Sequence, residues 1–284
     1  MRQRPFLKYT CILLLFSLMG CVNLEGVSDF SVTSAEALSN YENLSYGFKQ
    51  HCEERCEFNA IQQSEIKRAL DCDCRTYAQA DSVSIKIYNS ILGYFTSLGD
   101  IAGLDVSGYN LDAVNKPLQE GTFGKVIIQP EQAAAYSSIS NLLFRASTDV
   151  YKRKKIKEYI KEANAPLQLL LDKFSFILGQ NLKEELDFKK ERLYAFYTEL
   201  KLNDGLSDFE KVESIASYYD QLLQIDRQQE KLGIYAASLK EIATAHQELY
   251  DKRNALSTDV LKQEMSNYGS ALRDMGTAFK KLRE

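Results

Sequence analysis

Through the last third of the chain the core-type positions recur at alternating steps of four and three. They are Tyr235, Leu239, Ile242, His246, Leu249, Arg253, Leu256 and Val260, then Leu261, Met265, Tyr268, Leu272, Met275, Phe279 and Leu282. This is the spacing of a helix face packed in a bundle or coiled coil. The second series is displaced by one residue from the first, which predicts a register change near residues 257–259, with Ser257 available to cap a new helix. Phe209, Val212, Ala216, Tyr219 and Leu223 follow the same spacing from a start at Ser207 or Asp208.

Earlier in the chain, Val83, Ile87, Ile91, Leu92, Phe95 and Leu98 predict a helix over residues 77–101. Another helix is expected from Ser34 toward Cys56, with a break at residues 59–63. Pro130 suits a first helical turn, and the pattern after it runs to about Glu162, through the basic stretch Tyr151-Lys-Arg-Lys-Lys-Ile-Lys157. Those lysines read as a solvated helix end, with contact to anionic lipid as the alternative. Asn164 and Pro166 should restart a helix. Its opening, residues 167–178, is apolar nearly all round and too short to cross a bilayer, as in a central core helix. Residues 184–202 are amphipathic, and Asn203-Asp204-Gly205 ends them.

Residues 103–129 form an irregular loop holding four of the fourteen glycines, and residues 22–33 lack a clear helical period. Within the loop, Glu120-Gly-Thr-Phe-Gly-Lys-Val126 is similar to a fragment of a kinase glycine-rich loop. Gln119 stands where the first glycine belongs, and no His-Arg-Asp or Asp-Phe-Gly follows, so a connecting loop or short hairpin is expected. With four prolines, no tryptophan and abundant helix formers, the fold class is all-α. The architecture expected is an elongated antiparallel helical bundle with coiled-coil-like C-terminal helices.

The N-terminus changes how everything else is read. Arg2, Arg4 and Lys8 precede an apolar run from Thr10 to Met19, and Leu18-Met19-Gly20-Cys21 closes it. This resembles the lipobox of bacterial lipoproteins; the rest of the chain resembles no family by its motifs. The resemblance implies a signal peptide over residues 1–20 and a lipidated Cys21. It also implies attachment to the periplasmic face of the outer membrane, since Val22 rather than aspartate follows the cysteine. Residues 21–33 would then be a tether and 34–284 the bundle domain. Loss of the three leader cations takes the formal net charge from −4 to −7, which argues against a nucleic-acid partner.

Four cysteines, Cys52, Cys56, Cys72 and Cys74, fall within twenty-three residues. In an exported chain two disulfides are the expectation. The pairs 52/74 and 56/72 share a midpoint near residue 63, which favours nested bridges stapling an N-terminal hairpin; the pairing 52–72 with 56–74 stays open. A metal site built from these thiolates and His51 is the alternative, and with it a ligand- or metal-carrier function. The only other histidine, His246, sits on the apolar seam and reads as a core residue.

No catalytic residues are assigned, because both histidines have other readings, which leaves no base for a triad, and no spacing singles out a pair among the Asp and Glu residues. No cofactor is expected. The leading functional expectation is a non-enzymatic, lipid-anchored envelope protein that binds another envelope protein through a helical surface, an immunity-type or inhibitory lipoprotein being one form of it.

Overall fold

A computed structural model describes residues 23–66, 69–103 and 111–282. These form an all-α helical bundle. The helices are α1 (Glu25–Ser39), α2 (Phe48–Gln62), α3 (Arg75–Ala102), α4 (Pro130–Thr148), α5 (Ile156–Phe176), α6 (Lys183–Lys201), α7 (Asp208–Asp251) and α8 (Asp259–Lys281). A π turn, Ile177–Leu182, joins α5 to α6, so the two run as one rod. No helix among the described residues is long and apolar enough to cross a membrane.

The rod and α7 pair antiparallel along nearly their whole length. Asn164 bonds Gln247, Gln168 bonds the Ala243 carbonyl, Ser175 that of Ala236, and Tyr197 meets Ser217 near the far end. At the π turn, a Cβ on Gly179 would stand 2.9 Å from the Ala236 Cβ, so glycine is what lets the two helices approach. Around this pair, α4 packs on α5, α8 on α7, and α1 lies between α3 and α8.

The four-three seam of α7 is core as expected: Leu239, Ile242, His246 and Leu249 are buried. Its continuation is core only in part: Leu256 is buried, but the helix does not carry the seam further. Helix α7 ends at Asp251, a short 3₁₀ turn spans Arg253–Ala255, and α8 starts afresh, so Val260 falls outside the seam at 66% exposed. The cap of α8 is Thr258, whose hydroxyl accepts from the Leu261 N–H, rather than Ser257. At the other end of α7 the Ser207 cap is present, with Glu210 returning a hydrogen-bond partner to the Ser207 N–H.

Three boundaries differ from expectation. The expected tether over residues 21–33 is instead largely helix, because α1 begins at Glu25 and buries Leu24, Val27, Phe30 and Ser34. Its glycine, serines and threonine hide the helical period. They also let it press against its neighbours: a Cβ on Gly26 would stand 2.8 Å from the Lys262 backbone. Tertiary packing, not propensity, makes this helix.

The single helix expected from Ser34 to Cys56 is interrupted over residues 40–47, where Ser45 takes a positive φ of 52°. Helix α2 then starts where the Phe48 and Lys49 N–H groups donate to the Asp81 carboxylate of α3, a cap supplied from a distant part of the chain. Third, α4 stops at Thr148, and Pro166 lies inside α5. The buried Leu167, Leu170 and Leu171 keep the helix continuous through a proline that sequence rules read as a restart.

The irregular loop contains a two-stranded antiparallel hairpin, β1 (Gly121–Phe123) and β2 (Val126–Ile128), turning at Gly124 with φ 60°. Val126 and Ile128 are buried in the core.

Candidate functional site

Buried residues of α7 begin only at Ile225, so the helix runs for seventeen residues, roughly 25 Å, before it reaches the core. This segment and the facing part of α6 form a two-helix arm projecting from the bundle. Its inner face is polar and aromatic. Tyr197 Oη meets Ser217 Oγ at 2.9 Å, Gln221 donates to the same hydroxyl at 2.7 Å, and Tyr218 packs its ring near those of Tyr194 and Tyr197.

The outer face carries the heptad-like stripe. Phe209, Val212, Tyr219 and Leu223 are between 51% and 72% exposed, and Ala216 between them is exposed as well. Tyr194 of α6 and Leu202, just past its end, add further exposed apolar surface. A stripe of this regularity normally covers a core. Here nothing among the described residues covers it, and such surface marks a recognition site.

The root of the arm is braced by the cysteine hairpin. Cys52–Cys74 and Cys56–Cys72 form two nested disulfides, the pairing expected from the shared midpoint. Each bridge closes a loop of about seventeen to twenty-three residues and contributes on the order of 3 kcal/mol by restricting the unfolded chain. On a helix Cys72 and Cys74 would lie about 200° apart; both can turn toward the hairpin because they precede α3 rather than lying on it.

From this hairpin α2 reaches α6. His51 Nε2 lies 3.1 Å from Glu185 Oε2, and both side chains are almost fully buried. Tyr46 Oη meets His51 Nδ1 at 3.1 Å, the Lys189 ammonium pairs with Glu54 at 2.7 Å, and Phe58 packs edge-on against Phe196. Burial pushes the Glu185 carboxyl up, but its hydrogen bond and charge interaction with His51, with Lys125 and Arg55 nearby, leave it below its ordinary value. Between α2 and the arm root lies a cleft of about 240 Å³ lined by residues including Glu54, Phe58, Arg192 and Gln221.

His51 therefore faces α6 and not the sulfurs, and with both bridges closed the four cysteines offer no thiolate to a metal. His246 is sealed in the core. Tyr94 Oη meets its Nε2 at 2.7 Å, and its Nδ1 meets Asn164 Oδ1 at 3.0 Å, so both ring nitrogens are satisfied by neutral groups. Burial drives its pKa down to about 3. Cys21 lies outside the described residues.

Sequence reading found the cysteine pairing and the spacing of the arm stripe. It missed the His51–Glu185 link, whose members are 134 positions apart with no local signal. It also missed the exposure of the stripe, since a buried and an exposed seam have the same spacing. No family model matches the chain, and neither a curated protein nor a solved structure matches it.

Proposed function

We propose that the chain is a non-enzymatic, lipid-anchored envelope protein that engages another envelope protein through the outer face of the α6–α7 arm. The observation that carries this is the exposed stripe Phe209, Val212, Ala216, Tyr219 and Leu223 on an arm held away from the bundle. An amphipathic helix laid along it would complete the missing half of a coiled-coil seam. Asp208, Glu213 and Asp220 flank the stripe, which disfavours pairing of two copies and favours a partner with basic flanks.

A photoreactive side chain at Ala216, activated in the intact envelope, tests the reading. A crosslink to one heterologous protein, lost in Val212→Asp/Tyr219→Asp while the melting temperature stays unchanged, is the expected result. Crosslinks to nothing, or only to a second copy of the chain, would reject it. An inhibitory or immunity-type role is the form this takes if the captured partner is a toxin or an enzyme.

The anchor is a separate proposal that rests on Leu18-Met19-Gly20-Cys21. Cys21→Ser should abolish incorporation of labelled fatty acid and leave an uncut precursor. Label retained by the variant would dismiss the lipobox.

A further inference from the structure

The helix ends cluster in a way that has no counterpart in the sequence. Helix α1 begins beside the start of α8, with Glu25 paired to Lys262 at 2.7 Å. Arg153, in the turn between α4 and α5, donates to the carbonyls of Ile101, Ala102 and Gly103 at the end of α3. Lys157, at the start of α5, reaches the Asn254 carbonyl just past the end of α7. The starts of α1, α5 and α8 and the ends of α3, α4 and α7 therefore share one end of the bundle, and the arm tip points away from it.

That end carries the basic stretch. Lys152, Arg153, Lys154, Lys155 and Lys157 are concentrated in this one turn, where Asp149 is already held by Lys155 and Tyr159 and Glu158 lies near Lys155. Glu25, Asp251 and Asp259 lie at the neighbouring helix ends. Lys154 lies over the Tyr151 ring, 5.7 Å from its centroid. Beside these cations Val150 is 89% exposed and Tyr151 63% exposed, the pairing of lysine with apolar and aromatic side chains that suits a membrane interface. Only residues 22 and 23 lie between Cys21 and the buried Leu24, about 10 Å of chain at full extension.

We propose that this end of the bundle lies on the bilayer surface, with Val150 and Tyr151 at headgroup depth and the lysines of the turn on anionic phospholipid. This rests on the lipid-anchor reading for its geometry, since a lipid on Cys21 would bring this end, and no other, within reach of the membrane. The chain as a whole is acidic, so a cationic turn at the anchored end orients it: the surface potential attracts one end and repels the rest. The arm is thereby directed away from the membrane, toward partners in the periplasm.

The chain has no tryptophan, so a single Tyr151→Trp substitution gives a clean depth reporter on the turn, and Tyr219→Trp in a separate variant places the control reporter on the arm. Full-length protein purified from bacterial membranes would be placed in vesicles of phosphatidylethanolamine and phosphatidylglycerol containing a brominated lipid. Emission from the turn reporter should shift to shorter wavelength and be quenched about twofold or more, while emission from the arm reporter stays as in water. Adding Lys154→Glu and Lys157→Glu should weaken the response to anionic lipid at least about tenfold.

An unquenched turn reporter on a protein whose N-terminal peptide is shown by mass to carry lipid overturns this inference and leaves the anchor standing. If that peptide carries no lipid, the anchor reading falls. Quenching of the turn reporter on adding vesicles then still supports the face, and none rejects it. Quenching that ignores both the Lys→Glu changes and the phosphatidylglycerol content overturns the electrostatic docking.

Discussion

Leu249→Asp is expected to unfold the C-terminal half of the bundle. Leu249 is fully buried on the same face of α7 as Ile242, Ala245 and His246. Removing its side chain from the core forfeits roughly 2 kcal/mol of apolar burial, and an unpaired carboxylate there adds several kcal/mol of desolvation. Against a typical total of about 5–15 kcal/mol, little is left. Glu230→Gln, on the exposed face of the same helix, should change stability by less than about 0.5 kcal/mol. Thermal melting of the two variants beside the parent checks this. An unshifted midpoint for Leu249→Asp would mean that α7 does not pack through this face.

Acid should destabilise the fold through His246, over a window set by its pKa. The unfolded histidine takes up its proton near pH 6.5, whereas the buried one does so only at about 3. Between those values the unfolded state binds the extra proton, so stability is full above pH 6.5 and falls as the pH drops. The slope is about 1.4 kcal/mol per pH unit, and carboxylates add their own titration only toward about pH 4.5. His246→Gln should be less stable than the parent at pH 7.5, because it disturbs the bonds to Tyr94 and Asn164. The gap should narrow by about 2 kcal/mol between pH 6.5 and 4.5. Denaturant unfolding across that range measures it, and two parallel profiles would show that His246 is not the titrating group.

How much of this was legible in the sequence depends on whether the cause is local. Helices α3 and α8, the Ser207 cap and the nested cysteines are all written within a few residues of where they act. Helix α1 is different: its glycine, serines and threonine are poor helical signals, and it exists because α3 and α8 form a slot for it. The run through Pro166 and the start of α2 on Asp81 have the same character. So does the candidate site. The spacing of Phe209 to Leu223 is visible in the sequence, but the feature that makes it a site is the absence of a covering helix among the described residues, a property of the whole fold. The basic turn likewise gains meaning only when the ends of distant helices are seen to share one pole.

The position of α1 also bears on the order of events during biogenesis. Its slot is half built by residues 259–281, which are synthesised more than two hundred residues after it. On the exported reading, helix α1 cannot dock until residues 259–281 have crossed the membrane, because the contact that closes the fold spans more than two hundred residues. On the lipid-anchored reading, the processing enzymes meet Cys21 during that interval, while Leu24 and Val27 are still undocked. Once α8 arrives, the same residues are buried and the modified cysteine is left about 10 Å of chain. Acylation would then be a step that has to precede folding, and a chain that folded first would present its cleavage site too close to a packed surface to be cut.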